Sequence, residues 1–235
     1  LSSSSAASDV YKRQLYNMEL RGKKILFLGD SITQGAGATK EENVYLEVCA
    51  KKLGAKAVNF GVGGTRIAPQ ITPSEEAFCD EYFLLRAKKM DKDADLVVVF
   101  GGTNDFGHGD APFGRIGDKD PATFCGAYDA LMEYLTSTYG KDKVVVVYPL
   151  RRYNETSTNG ENGRKAEGSK PLAEYYNAEK AIVEKYGVKS VDFRNDDDFN
   201  PNTADGDKNF ADGLHPNDIG HRLLGEKLAD ALARM

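Results

Sequence analysis

The most constraining feature of this sequence is a short apolar segment that recurs along the chain with helical segments between its copies. Leu96–Phe100 reads Leu-Val-Val-Val-Phe and is apolar at every position, which is typical of a central parallel strand covered by helices on both faces. Comparable segments occupy residues 24–29, 57–62, 144–148 and 188–193. The pattern therefore predicts five strands in one parallel sheet.

The segments between these strands carry helix signals. Hydroxyl, acidic or proline residues precede apolar positions at helical spacing, which predicts helices over residues 41–53, 74–90, 121–139, 171–186 and 216–234. A glycine-rich loop is predicted over residues 101–120, and a polar surface excursion over residues 151–170. Alternating strands and helices predict an α/β sandwich of three layers. The strand order 2-1-3-4-5, common in doubly wound folds, would place strand one between strands two and three.

Composition narrows the class of protein. The chain has 235 residues, 40% of them hydrophobic, and no apolar run approaches the roughly 20 residues of a membrane span. Acidic and basic residues are mixed, with a formal charge of −5, which argues against nucleic acid or anionic lipid as partner. The three cysteines fit no CxxC pattern, which argues against a disulfide framework or a zinc site. With no signal peptide visible, we expect a cytoplasmic protein.

The first residues differ in character from the rest. Residues 1–14 are serine-rich and lack an apolar stripe, and SSAASDVYKRQ at residues 4–14 resembles the translation of a transposase adapter used to prepare sequencing libraries. We therefore expect residues 1–17 to be a non-native or disordered leader, with Met18 as the true start and a lost signal peptide as the alternative. Residues 18–235 are expected to form one domain.

Polar and glycine-rich motifs follow four of the predicted strands. Gly-Asp-Ser-Ile-Thr at residues 29–33 follows the first strand, and Asn-Phe-Gly-Val-Gly-Gly at residues 59–64 follows the second. Gly-Gly-Thr-Asn-Asp at residues 101–105 follows the third, and Asp-Gly-Leu-His-Pro at residues 212–216 follows the fifth. Because the carboxyl ends of parallel strands share one edge, the motifs are expected to form one site.

Three residues in these motifs have the side chains of a serine nucleophile and its base. A serine hydroxyl becomes nucleophilic when a base takes its proton and a third group orients that base. Ser31 is placed at a strand-to-helix turn, and Asp212 precedes His215 by three residues in a tight turn. Three alternatives stay open at this point. Asp30 and Ser31 could simply cap a turn, Asp212 could cap its own turn with His215 as a solvated residue at the helix start, and His108 is a rival base.

The same motifs contain hydrogen-bond donors for a carbonyl oxygen that becomes negatively charged. Gly61, Gly63 and Gly64 allow the backbone to approach a substrate, and Asn104 adds a side-chain amide. Each could instead be an ordinary turn residue. In the strand order 2-1-3-4-5, Ser31, Gly64 and Asn104 become neighbours. The loop before Gly213 is long enough to bring the histidine across from strand five, roughly 15 Å away.

Taken together, the motifs resemble those of the SGNH (GDSL) hydrolase superfamily, from about residue 24 to the last helix. The resemblance implies a flavodoxin-like fold, an acyl-enzyme intermediate resolved by water, and no metal or cofactor. It implies that Ser31 is both nucleophile and oxyanion donor, with Gly64 and Asn104 as further donors and Gly61 as the alternative glycine. His215 is then the base, and Asp212 orients it.

The resemblance leaves the substrate open, because the superfamily contains esterases, lysophospholipases, thioesterases and carbohydrate deacetylases. The polar character of residues 151–170 and 194–213 favours a short acyl group, such as acetyl on a sugar or small metabolite, over a lipid. No oligomeric state is indicated. Candidate rim residues of the substrate pocket are Arg66, Phe106, His108, Phe113, Arg151 and Arg152.

A non-catalytic nucleotide- or carbohydrate-binding α/β module is the alternative from another class. Glycine-rich turns after parallel strands also bind phosphates. However, the sequence contains neither GxGxxG spacing after a strand nor GxxxxGK[ST]. The intact set of Ser31, Asn104, Asp212 and His215 favours the enzyme.

Overall fold

A computed structural model describes residues 20–166 and 169–235. The leader expected at residues 1–17 lies outside the described residues. Five parallel strands form one sheet in the order β2-β1-β3-β4-β5, which confirms the predicted order. The strands are β1 Lys24–Gly29, β2 Lys56–Gly61, β3 Leu96–Phe100, β4 Val144–Val147 and β5 Lys189–Val191.

Helices cover both faces of this sheet. One apolar cluster includes Leu26 and Val97 from the strands, and the other includes Phe27 and Val98. Successive strand residues point to opposite faces, so each central strand contributes to both clusters. The helices are α1 Ser31–Gln34, α2 Tyr45–Leu53, α3 Phe83–Lys89, α4 Thr103–Gly107, α5 Phe124–Tyr139, α6 Leu172–Tyr186, α7 Ala204–Asp207 and α8 Asp218–Leu232.

Local sequence explains where the longer helices begin and end. The Thr123 side chain accepts from the amide of Gly126 at the start of α5, and Asn217 caps α8 in the same way. Gly54 and Gly187 end α2 and α6 with φ angles of 67° and 62°, a conformation that glycine adopts without steric cost.

The register aligns the ends of the three strands that matter for the site. Gly29 of β1 is paired with Gly61 of β2 and with Phe100 of β3. The segments that leave β1, β2 and β3 therefore begin side by side at one edge of the sheet. Of the described helices, none is long and apolar enough to span a bilayer.

Two predicted segments differ from the structure. The helix predicted over residues 74–90 is limited to α3, with a single 3-10 turn at Ala77–Asp80 before it. Ser74 donates its amide and its hydroxyl to the Asp80 carboxylate, at 2.9 and 2.6 Å, which closes a loop instead of starting a helix. The predicted loop after β3 contains α4.

Candidate active site

Ser31 is the first residue of α1, directly beyond the end of β1. The Asp30 carboxylate accepts from the amide of Ile32 at 3.0 Å and so begins the helix. An added Cβ at Gly29 would lie 1.9 Å from the Thr33 hydroxyl, so only glycine allows this sharp turn. The turn brings Ser31 Oγ to 2.8 Å from His215 Nε2.

Asp212 and His215 form one compact turn before α8. His215 Nδ1 lies 2.7 Å from Asp212 Oδ2, and Asp212 Oδ1 accepts from the amides of Leu214 and His215. Burial acts to raise the pKa of Asp212. Hydrogen bonds from the backbone amide and the ring of His215 lower it by more and hold that pKa below its usual value. A carboxylate at Nδ1 keeps the proton there, so Nε2 is free to accept from Ser31.

The glycine-rich segment after β2 lies against Ser31. A Cβ added to Gly63 would lie 3.7 Å from Ser31 Cβ. The amide of Gly61 donates to Asn59 Oδ1 at 2.8 Å, and the amide of Gly63 donates to Gln34 Oε1 at 2.6 Å. Within the described part of the chain, the Gly64 amide has no such acceptor. Gly64 has a φ of 73°, which turns the chain at this position.

Asn104 lies in α4, next to this segment. Its side-chain Nδ2 donates to the carbonyl oxygen of Thr65 at 3.0 Å. The side-chain nitrogen of asparagine carries two hydrogens, so one remains for another acceptor. The neighbouring Asp105 carboxylate accepts from the amides of Ile67 and Ala68 at 2.9 Å each. The two residues together hold the glycine segment against α4.

Arg86 of α3 joins the ends of β1 and β2. The side chain is buried, with 4% exposed, and Nη1 donates to the carbonyl oxygens of Gly29 and Phe60. Nη2 donates to the Thr65 hydroxyl at 2.8 Å. Arg86 and Asp105 could not be predicted as site residues, because nothing in a single sequence marks which charged residue of a short helix turns inward.

The candidate rim residues divide into exposed and buried groups. The expectation that Phe106 lies at the rim is wrong. Its side chain is fully buried, at 0% exposed, and packs edge-on against Tyr175. Arg66 and Arg152 are also buried, at 3% and 4% exposed, so neither is free to lie at an open rim. His108, Phe113 and Arg151 are partly exposed.

The buried arginines instead donate to residues at or next to the proposed oxyanion donors. Arg66 donates to the carbonyl oxygen of Gly64 at 2.9 Å, and Arg152 donates to the carbonyl oxygen and hydroxyl of Thr103, next to Asn104. Arg151 pairs with Glu155. In the described part of the chain, no cluster of three or more acidic, histidine or cysteine side chains has the geometry of a metal site.

This chain matches one known protein family over most of its length. The model of the GDSL-like lipase/acylhydrolase family matches residues 27–223. The chain belongs to this family. It is therefore a hydrolase that acts on ester bonds, with the α/β fold of the GDSL-like hydrolases.

Solved structures of similar proteins support the same fold. A protein from Lactobacillus plantarum is 26% identical, with a TM-score of 0.74 over 91% of this chain and 98% of its own. The acetyl xylan esterase AlAXEase is 23% identical, with a TM-score of 0.59 over 88% and 98%. A carbohydrate acetylesterase family member from Sinorhizobium meliloti is 18% identical, with a TM-score of 0.61 over 91% and 100%. None of the curated proteins matches significantly.

Proposed function

We propose that this protein hydrolyses short-chain carboxylic esters, with the O-acetyl group of a carbohydrate as the substrate class, and that Ser31, His215 and Asp212 carry out the reaction. One observation carries the catalytic assignment. The Ser31 hydroxyl, the His215 ring and the Asp212 carboxylate form a continuous chain of hydrogen bonds of 2.8 and 2.7 Å. This is the arrangement that a serine nucleophile requires.

In the proposed reaction, Ser31 Oγ attacks the ester carbonyl carbon while His215 Nε2 takes the hydroxyl proton. The negative oxygen that forms accepts from the amides of Ser31 and Gly64 and from Asn104 Nδ2. Collapse of this intermediate breaks the bond to the alcohol, which leaves with the proton from His215. Water, activated by His215, then attacks the acyl-enzyme and releases the acid.

Hydrogen bonding favours Gly64 over Gly61 as the backbone donor. The Gly61 amide is already engaged by Asn59, whereas the Gly64 amide has no acceptor in the described residues. A donor that already has a partner would have to break that bond as charge develops on the substrate, and this would cancel much of its contribution.

Two observations favour a short acyl group. The segments that could cover the site, residues 151–166 and 194–213, are rich in polar and charged side chains, which suit a hydrated substrate better than a long alkyl chain. Proteins named as an acetyl xylan esterase and a carbohydrate acetylesterase also share the fold. Lysophospholipase and thioesterase activities are the alternatives within the family.

Covalent labelling tests the nucleophile. Ser31→Ala should abolish labelling by a fluorophosphonate, whereas Ser137→Ala, at an exposed serine of α5, should label as the wild type does. Circular dichroism of both variants controls for folding. Persistent labelling of folded Ser31→Ala would place the nucleophile elsewhere.

A chain-length series tests the substrate class. On p-nitrophenyl esters, kcat/KM should be highest for acetate and decrease beyond butyrate. A steady rise from acetate to dodecanoate would refute the short-chain proposal and favour a lysophospholipase. A panel of acetylated sugars, acyl-CoA and lysophospholipid then separates the remaining alternatives.

A further inference from the structure

A cavity of about 380 Å³ lies between the segment that follows α4 and the segment that precedes α6. Its lining includes His108 and Phe113 on one side and Arg164, Lys170 and Tyr175 on the other. This volume lies within the range of small-molecule sites, about 300–1,000 Å³. None of the proposed catalytic residues is among the described residues that line it. A molecule in this cavity would therefore lie away from the proposed reacting groups.

His108 connects this cavity to the proposed oxyanion donors. The backbone amide of His108 donates to the carbonyl oxygen of Asn104 at 3.0 Å. On the other side, Arg66 Nη1 lies 3.3 Å from His108 Nδ1 and donates to the carbonyl oxygen of Gly64 at 2.9 Å. One guanidinium group therefore separates the cavity wall from Gly64.

Arg66 determines which nitrogen of His108 carries the proton. A guanidinium group has hydrogens to donate and no lone pair to accept, so His108 Nδ1 must present its lone pair. Burial, followed by the charge of Arg66, lowers the pKa of His108 to about 4. The ring is therefore neutral near pH 7, with its proton on Nε2. It can act as a hydrogen-bond donor and does not compete with His215 as a charged acid.

Three basic side chains and one acidic side chain are among the described residues that line the cavity. Of its basic residues, Lys165 donates to the carbonyl oxygen of Asp105 and to the Tyr175 hydroxyl, which holds it against the wall. The carboxylate of Asp110 accepts from the amides of Ile71 and Thr72, which satisfies the one acidic side chain among the described lining residues. The other two lining cations, Arg164 and Lys170, are exposed.

We propose that this cavity is a subsite for the alcohol part of the substrate and that it selects an alcohol with a negative charge, carboxylate or phosphate. This inference rests on the proposed function. An acetyl group is too small to extend beyond the reacting carbonyl, so only the alcohol can reach the cavity. There, His108 Nε2 donates to an oxygen of the alcohol, Phe113 packs against its carbon skeleton, and Arg164 and Lys170 attract the charge.

Binding to Ser31→Ala tests the subsite without turnover of the ligand. We would titrate this variant calorimetrically with an O-acetylated methyl hexoside, the matching hexuronide and the matching hexoside 6-phosphate. At low ionic strength, the anionic ligands should bind about 3- to 10-fold more tightly than the neutral one, because two partly exposed ion pairs form. The preference should decline in about 0.5 M salt. If the hexuronide gains more affinity over the neutral ligand than the 6-phosphate does, the subsite selects a carboxylate. The reverse order identifies a phosphate.

Variants in the Ser31→Ala background separate charge from hydrogen bonding. Arg164→Gln/Lys170→Gln should bring the anion preference close to one, whereas Lys51→Gln, at an exposed lysine of α2, should retain it. His108→Phe should weaken binding of the neutral and anionic ligands alike and leave their ratio unchanged. A merely structural role for the two cations would instead weaken all ligands equally.

Two results would overturn the subsite: equal binding of neutral and anionic ligands at low salt, or an unchanged preference after Arg164 and Lys170 are both replaced. Failure of the proposed function has a different signature. In that case the wild type would hydrolyse no acetyl ester, including p-nitrophenyl acetate, whatever the binding measurements show.

Discussion

Replacing Gly64 by alanine should disturb the proposed oxyanion hole by a predictable amount. The φ of 73° at Gly64 costs an L-residue about 1–2 kcal/mol. The new Cβ would lie 2.8 Å from Cys79 Sγ, well inside the contact distance of about 3.5–4.0 Å, and such overpacking costs about 1–3 kcal/mol. We therefore expect the free energy of unfolding to fall by about 2–5 kcal/mol.

The same change should slow the reaction. Relief of the contact requires a displacement on the order of 0.7 Å, and misplacement by about 1 Å costs roughly 10²-fold in rate. Gly64→Ala should therefore lower kcat on a short-chain ester by about 10-fold or more, with a smaller change in KM. Urea denaturation and steady-state kinetics measure the two effects.

Truncation of Cys79 separates the two causes. In Gly64→Ala/Cys79→Ala, the sulfur is gone and the remaining contact, with Cys79 Cβ at 3.7 Å, is ordinary. The double variant should regain about 1–3 kcal/mol and most of the lost kcat, while the cost of the positive φ stays. A coupling energy below about 0.5 kcal/mol, or a single Gly64→Ala variant with wild-type kcat, would refute the reasoning.

Three further predictions concern the amide donor, the aspartate that orients the base and the buried aspartate. Asn104→Ala should lower kcat by about 10²–10³-fold, because the reaction loses one donor to the developing charge. Asp212→Asn should lower kcat by about 10²–10⁴-fold, because an amide at His215 Nδ1 favours the tautomer that cannot accept from serine. Burial raises the pKa of Asp30 to about 6, so the folded protein favours the protonated carboxyl group. The stability that this group contributes is present at low pH and is lost as the pH rises through 6. Asp30→Asn, which can still accept from Ile32, should therefore be more stable than the wild type at pH 7, by up to about 3 kcal/mol.

Each of these predictions has a result that would contradict it. An unchanged kcat in folded Asn104→Ala would remove the side chain from the oxyanion hole. Full activity in Asp212→Asn would show that His215 does not need the Asp212 carboxylate to hold the reactive tautomer. For Asp30→Asn, urea midpoints are compared between pH 5 and 7. If the stability of Asp30→Asn fell with rising pH as steeply as that of the wild type, a group other than Asp30 would be responsible for the pH dependence.

The strands and the motifs could be predicted because their information is local. Leu96–Phe100 is apolar at every position, and a fully buried strand in a parallel sheet requires this. The serine, glycine and asparagine motifs lie at strand ends, so the strand order brings them together. The histidine motif reaches them because the loop that follows β5 is long enough to cross the sheet edge. The strand order and the five-stranded α/β architecture are confirmed by the structure, and the family match confirms the resemblance.

Features that depend on distant partners were not predictable. Ser74 and the acidic residues after it have the composition of a helix start, yet Asp80 accepts from Ser74 and from Arg66, and the segment closes as a loop. Phe106 was expected at the rim, but α4 has only five residues. Such a helix is too short for periodicity to reveal its buried face.

The position of Arg86 has a consequence for how this enzyme would fail on heating. Its guanidinium contacts the ends of two neighbouring strands and the Thr65 hydroxyl, so the serine turn and the glycine segment share a rigid support inside the core. Loops with few core contacts open before the rest of a protein does. Here the proposed donors cannot separate from the nucleophile without breaking buried contacts. Loss of the proposed oxyanion hole on heating should therefore coincide with global unfolding and not precede it.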